Sequence, residues 1–131
     1  MKIGQLAKIS NCQVVTIRYY EREGLLPDPA RSGGNYRLYS QQHVDRLAFI
    51  RNCRTLDMTL EEIRRLLSYR DRPSSSCAGV NELVDKHIQH VRDRIACLQV
   101  LQLQLVELRQ SCNDGREAAA CQILQQLTVS Q

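Results

Sequence analysis

Three of the six cysteines flank one long segment of regular apolar spacing, Cys77 before it and Cys112 and Cys121 after it. Thiolates are soft donors. Three of them, with no obvious carboxylate partner, suit Pb(II), Cd(II) or Hg(II), and Zn(II) if a fourth ligand completes the set. In the stretch SCNDGREAAAC (111–121), Asn113-Asp114-Gly115 lets the chain turn sharply, so that Cys121 on a short following helix folds back toward Cys112. Cys77 lies just ahead of a predicted helix, whose dipole favours the thiolate. His87, inside that helix, is the possible fourth ligand, against the plainer reading of a helix-surface or interface histidine. Cys12, Cys53 and Cys97 read as small apolar filler.

The elements that must position these thiols follow from the spacing. Between Val80 and Gln110 there is no Pro or Gly, and Val84, Ile88, Val91, Ile95, Leu98 and Leu105 fall on alternating four- and three-residue steps. Gln102 interrupts the stripe; Leu101 and Leu108 widen it. This is a coiled-coil seam on a helix about 46 Å long at 1.5 Å per residue. A chain this small cannot bury such a face alone, so the pattern predicts a partner helix, most simply its twin in a homodimer. Within one chain the helix keeps Cys77 away from Cys112 and Cys121. Antiparallel pairing would bring Cys77 to the partner's Cys112 and the partner's Cys121, whereas parallel pairing would destroy the site. The competing arrangement is a long helix lying across its own N-terminal domain.

Ahead of this rod, residues 3–9 form a short amphipathic turn of helix, Ser10-Asn11 breaks it, and Val14 to Arg22 resumes helical spacing with Val14, Ile17 and Val15 facing inward. Two short helices across a tight turn make a helix-turn-helix, whose second helix can enter a DNA major groove. In GLLPDPARSGGNYRLYS, Pro27 and Pro29 forbid helix and Gly33-Gly34 supply a turn. Tyr36, Leu38 and Ser40 alternate with Arg37 and Tyr39 as a strand would, which predicts a β-hairpin wing. Ser40 caps a helix through Val44, Leu47 and Ile50; Thr59-Leu60-Glu61-Glu62 is a capping box opening another with Ile63, Leu66 and Leu67 inside. The expected architecture is mainly α. A winged helix-turn-helix DNA-binding domain (1–70) is followed by a linker (71–79), a dimerisation helix forming an antiparallel coiled coil (80–110), and a metal-binding loop with a C-terminal helix (111–131).

On the would-be recognition helix stand Thr16, Arg18, Tyr19 and Tyr20, and on the wing Arg31, Asn35, Tyr36 and Arg37. Arg donates to phosphate or guanine, while Tyr and Thr hydroxyls fix a protein on the sugar-phosphate backbone. One of the two adjacent tyrosines is expected to pack inside. Charge agrees in sign: residues 1–72 hold 13 Lys or Arg against 8 Asp or Glu, and residues 73–131 hold 5 against 6. Only the front half is suited to a polyanion such as promoter DNA.

Aromatic content of 5% with no Trp argues against a large all-β core. The opening MKIGQLAKIS carries charge where a leader would be apolar, and no apolar run approaches the roughly 18 residues a membrane span needs. The expectation is a cytoplasmic protein without a membrane partner, where thiols stay reduced. No nucleophile–base pair and no phosphate-binding glycine loop suggest an enzyme. The rival readings are a thiol redox sensor on the same DNA-binding scaffold, with Cys112 and Cys121 pairing on oxidation, and a cytosolic metal buffer.

The run TIRYYEREGLLP, the pattern R-x₃-NYRLY and the following RLAFIRNCRTLDMTLEEIRRLL resemble the MerR family of metal-responsive transcription regulators. The resemblance extends over nearly the whole chain. Cys77, Cys112 and Cys121 match the thiols of its heavy-metal branch, and CAGVNELVDKHIQHV looks most like the cadmium- and lead-responsive members. The resemblance implies a homodimer on a promoter whose two polymerase-recognition elements are too widely spaced, with RNA polymerase as a further partner. Metal would switch it between repressing and activating DNA shapes while it stays bound.

Overall fold

The computed structural model describes residues 1–129. The chain forms two compact units, Met1–Leu83 and Val84–Gln131. Ser130 and Gln131, the end of the expected 111–131 segment, lie outside the described residues.

The front unit contains α1 (Ile3–Ser10), α2 (Val14–Arg22), β1 (Ala30–Arg31), β2 (Arg37–Leu38), α3 (Gln41–Thr55), α4 (Leu60–Arg70) and the opening turns of α5 (Ala78–Gln110). Asn11 stops α1 by taking a left-handed φ of 49°, and the Cys12 amide then donates to the Ala7 carbonyl at 3.0 Å. Asn tolerates this backbone better than other residues with a Cβ, because its short polar side chain bonds locally. The chain is thereby redirected into α2, giving the expected helix-turn-helix. Leu6 and Ile17 are fully buried where α1 and α2 meet, with Leu25, Ile50 and Ile63 completing the centre of the core. Val15 departs from expectation: it is 72% exposed. Ile17 and Tyr20 supply the inward stripe at i and i+3, Val14 is only half-buried, and Val15, two residues before Ile17, points about 160° round the helix from it.

The wing is a two-stranded antiparallel hairpin pairing Ala30 with Leu38 and Arg31 with Arg37. Its turn closes by the Asn35 amide on the Ser32 carbonyl at 2.9 Å, with Asn35 itself at φ 66°. The expected alternation does not survive past these pairs. Tyr36 is exposed and Leu38 partly so, whereas Tyr39 is buried. Tyr39 leaves the strand to be held by tertiary contacts: its amide donates to the Met1 carbonyl at 2.7 Å and its hydroxyl to Glu21 Oε1 at 2.5 Å.

Local chemistry explains the next two helix starts. The Ser40 amide donates to His43 Nδ1 at 3.2 Å, so the proton sits on Nε2, which donates to the Pro27 carbonyl at 3.0 Å. Buried His43 thus ties the start of α3 to the segment leading into the wing. At α4 the expected capping box is formed, with Thr59 N–H to Glu62 Oε1 at 3.0 Å and Glu62 N–H to Thr59 Oγ1 at 3.1 Å. Arg46 of α3 donates through Nε to the Leu25 carbonyl at 2.6 Å and through both terminal nitrogens to Asp71 at 2.7 and 3.2 Å. That fork holds the Asp71 carboxyl below the ordinary carboxylate range.

Helix α5 begins at Ala78, and Leu83 is buried in the front core with Val80 packed beside it. Tyr69 of α4 lies so close to Gly79 that a Cβ there would fall 1.9 Å from the Tyr69 hydroxyl oxygen. The back unit continues α5 to Gln110, then a 3₁₀ turn (Ala118–Ala120) and α6 (Gln122–Thr128). Along it Val84, Ile88, Val91, Ile95, Leu98 and Leu105 are all exposed in the single chain. A stripe of that extent on a stable protein calls for a covering partner. Among the described residues no helix is long and apolar enough to cross a membrane.

Candidate metal centre and nucleic-acid interface

The C-terminal thiols are brought together. Helix α5 ends at Gln110, and Arg109 braces the turn that follows by donating to the Cys112 carbonyl at 3.0 Å and pairing with Asp114 at 3.4 Å. The chain then folds back, so the Cys112 side chain, whose thiol donates to the Asn113 carbonyl at 3.3 Å, is set close enough to Cys121 to act on its thiol. Cys121 is the N-cap of α6. Its sulfur lies near the Leu124 amide, and although this falls short of a full cap hydrogen bond, the amide is the largest influence on the thiol. With Cys112, the Ile123 amide and Arg116 adding to it, the Cys121 thiol is held below the ordinary cysteine range, in favour of thiolate. Two neighbouring thiols, one biased to ionise, are a donor pair suited to a soft cation.

Cys77 stands in the front unit, exposed, one residue before α5, with its carbonyl accepting the Asn81 amide at 3.0 Å. A helix of 33 residues separates it along the chain from the other two thiols. His87 is a half-buried residue of α5. Of the remaining cysteines, Cys53 is buried in the core, where burial pushes its thiol up, and Cys12 is half-buried with the same direction of shift. Cys97 is exposed on α5 and so does not fill a core within the single chain.

In the front unit, Arg18 of α2 and Arg31, Asn35, Tyr36 and Arg37 of the wing line one concavity of about 660 Å³. Arg31 reaches across the hairpin to the Asn35 carbonyl at 3.2 Å, so it braces the turn as well as carrying charge. Arg37 is drawn toward Glu21 at 3.7 Å, the carboxylate that also accepts the Tyr39 hydroxyl. Lys2 and Arg22 belong to the same wall and escaped the sequence reading. Arg22 was legible as the i+4 neighbour of Arg18 on one helix face; Lys2 was not, because its ammonium comes to the Tyr36 ring, 5.5 Å from the centroid, by tertiary folding.

Thr16, Tyr19 and Tyr20 line an adjoining hollow of about 450 Å³ with Val15, Arg22 and Arg54. Tyr20 is the tyrosine that packs inward, and burial raises its hydroxyl pKa. Tyr19 stays on the surface, with the Arg22 guanidinium 6.0 Å from its ring centroid. Arg51 and Arg54 donate to the Ser10 and Met58 carbonyls, at 3.4 and 2.8 Å.

Comparison with known proteins gives a consistent result. Residues 1–70 match the MerR HTH family of regulatory proteins, and residues 44–108 match the MerR DNA-binding family. The HTH-type transcriptional regulator ZntR homolog of Haemophilus influenzae is 48% identical over 84% of this chain and 82% of its own length. The crystal structure of the transcription regulator PbrR691 from Ralstonia metallidurans CH34, in complex with lead(II), shares 54% identity at a TM-score of 0.88, covering 97% of this chain and 98% of its own. The dual-function transcriptional regulator MerR from Bacillus megaterium MB1, in complex with mercury(II), shares 32% identity at a TM-score of 0.75 over 98% of this chain and 100% of its own.

Proposed function

The chain belongs to the MerR family of helix-turn-helix transcriptional regulators, and from that premise we propose that it is a cytoplasmic heavy-metal sensor. In this reading it binds promoter DNA as a homodimer and switches on metal-resistance genes when Pb(II) or Cd(II) occupies a site of three cysteines. The observation that carries the reading is the fold-back after α5, braced by Arg109, that sets Cys112 beside Cys121 at the start of α6, with Cys121 biased toward thiolate. The 54% identical relative crystallised with lead(II) supports the same metal class. Cys77 is the third ligand, supplied by the partner protomer across an antiparallel pairing of the exposed α5 stripes. Soft donors of this kind take Hg(II) or Zn(II) as well; His87 is the candidate fourth ligand.

Thr16, Arg18, Tyr19, Arg31, Asn35, Tyr36 and Arg37 hold the dimer on the duplex, while Tyr20 contributes chiefly by packing. The two states of the regulator differ in the DNA shape they stabilise, with RNA polymerase engaging the promoter in the activated one. Metal can shift that balance only by binding the activating state more tightly.

Subunit mixing tests the shared site. A heterodimer of a Cys77→Ser chain with a Cys112→Ser/Cys121→Ser chain rebuilds one complete site, read as a thiolate-to-metal absorption band at half the wild-type amplitude. No band in the mixture means that the ligands do not cross between chains. The proximity of Cys112 to Cys121 also favours a second reading, a redox sensor closing a disulfide there. Reduced protein that gives no charge-transfer band with any soft metal supports that alternative.

A further inference from the structure

Val15 is the most exposed large apolar side chain among the described residues, at 72%. It occupies the second position of α2, and nothing in the front unit's core covers it. Its surroundings are mostly of a different character: Thr16, Tyr19, Tyr20, Arg22 and Arg54 line the hollow it borders, with half-buried Leu60 as its second apolar residue. A hydrocarbon spot inside a polar, cationic rim fits a polyanion that itself carries a small apolar feature. In the major groove of a duplex that feature is the 5-methyl group of thymine, and first-turn residues of a recognition helix are the ones that reach base edges.

We propose that Val15 is a specificity-determining residue that reads one thymine methyl in each half-site. The proposal rests on the DNA-binding reading above and adds to it a base and an atom. Arg22 and Arg54 supply attraction to the backbone without sequence information, while Val15 discriminates thymine from the other pyrimidines by removing one methyl group from water. Burying a single methyl corresponds to roughly a 4-fold change in affinity per half-site, hence on the order of 10- to 20-fold for a symmetric dimer site.

The experiment begins with selection of the preferred inverted repeat from random duplexes by the full-length protein. Each symmetric pair of thymines is then replaced by uracil, which removes the methyl and leaves base pairing intact. Wild type is expected to lose about 10-fold at one symmetric pair, and Val15→Ala to lose nothing further there while retaining the wild-type response at every other position. Val15→Thr, which keeps the shape and one methyl, is expected to fall between. Because Val15 is exposed, these variants retain the fold, and far-UV circular dichroism checks that they do. Uracil responses identical in wild type and Val15→Ala at every position overturn the assignment while leaving DNA binding intact. Failure to select any duplex sequence overturns the DNA-binding reading and this inference together.

Discussion

Replacing Gly79 by Ala tests whether the start of α5 is seated on α4 as described. Two effects oppose each other. Alanine is the better helix residue by up to about 1 kcal/mol, and by less in the first turn where Gly79 sits. Against this, the new methyl would lie 1.9, 2.4 and 2.8 Å from Oη, Cζ and Cε1 of Tyr69. These are the hydroxyl oxygen and two ring carbons at the far end of one side chain, so either the half-buried ring swings away from its packing or the helix start shifts. Overpacking of this kind costs about 1–3 kcal/mol, so Gly79→Ala is expected to destabilise the reduced protein by about 1–2 kcal/mol net. In a Tyr69→Ala background the obstacle is gone and only the helical preference remains. There the same substitution is expected to stabilise by a few tenths of a kcal/mol. Urea midpoints followed by far-UV circular dichroism, all at one protein concentration because a dimer's stability depends on it, measure both. A neutral or stabilising Gly79→Ala in the wild type, or an equal loss in both backgrounds, would refute the reasoning.

Tyr39→Phe removes the 2.5 Å hydrogen bond to Glu21 and is expected to cost about 1–3 kcal/mol in thermal or urea unfolding, as for a bond to a charged group. Burial first, and Glu21 second, push the Tyr39 hydroxyl up to about 12 from an ordinary value of 10.0. The folded protein therefore keeps a proton that the unfolded chain loses, so this contribution is complete below pH 10 and drains away as the pH rises to about 12. Tyr39→Phe should make that alkaline limb shallower, leaving a remainder from Tyr20, which shifts in the same direction; an unchanged limb would count against the pairing. For the thiols, brief treatment of reduced protein with iodoacetamide near neutral pH is expected to label Cys121 ahead of Cys12 and Cys53, and Cys112→Ala to slow it. Peptide mapping that finds equal labelling, or no effect of Cys112→Ala, contradicts the influence of Cys112 on the Cys121 thiol.

Features set by neighbours in sequence were legible. The Thr59 box, the break at Asn11, the turn between Cys112 and Cys121 and the inward face of α4 all depend on spacings of a few residues. Features set by distant contacts were not. Val15 looked inward because three apolar residues fall in one four-residue window, and only packing against α1 and the core decides that Ile17 is the one used, with Tyr20 beside it. Tyr39 looked like one face of a strand, but a hairpin of two residue pairs is too short to impose alternation, and Met1 fixes the Tyr39 backbone while Glu21 fixes its side chain. Lys2 joined the basic concavity through Tyr36, 34 positions away along the chain. Val80 and Leu83 were hidden beside the stripe, since Leu83 lies one residue off its spacing and only contact with the front core shows that α5 serves a core at its beginning and an exposed seam thereafter.

That change of service along α5 matters to anyone building hybrid regulators. The Ser-rich stretch before the rod is the inviting splice point, yet a graft made there imports foreign residues at 80 and 83 into the interior of the DNA-reading half. A junction beyond Leu83, keeping the seven-residue register, lets the donor's sensing portion change while the host keeps every side chain its own fold requires.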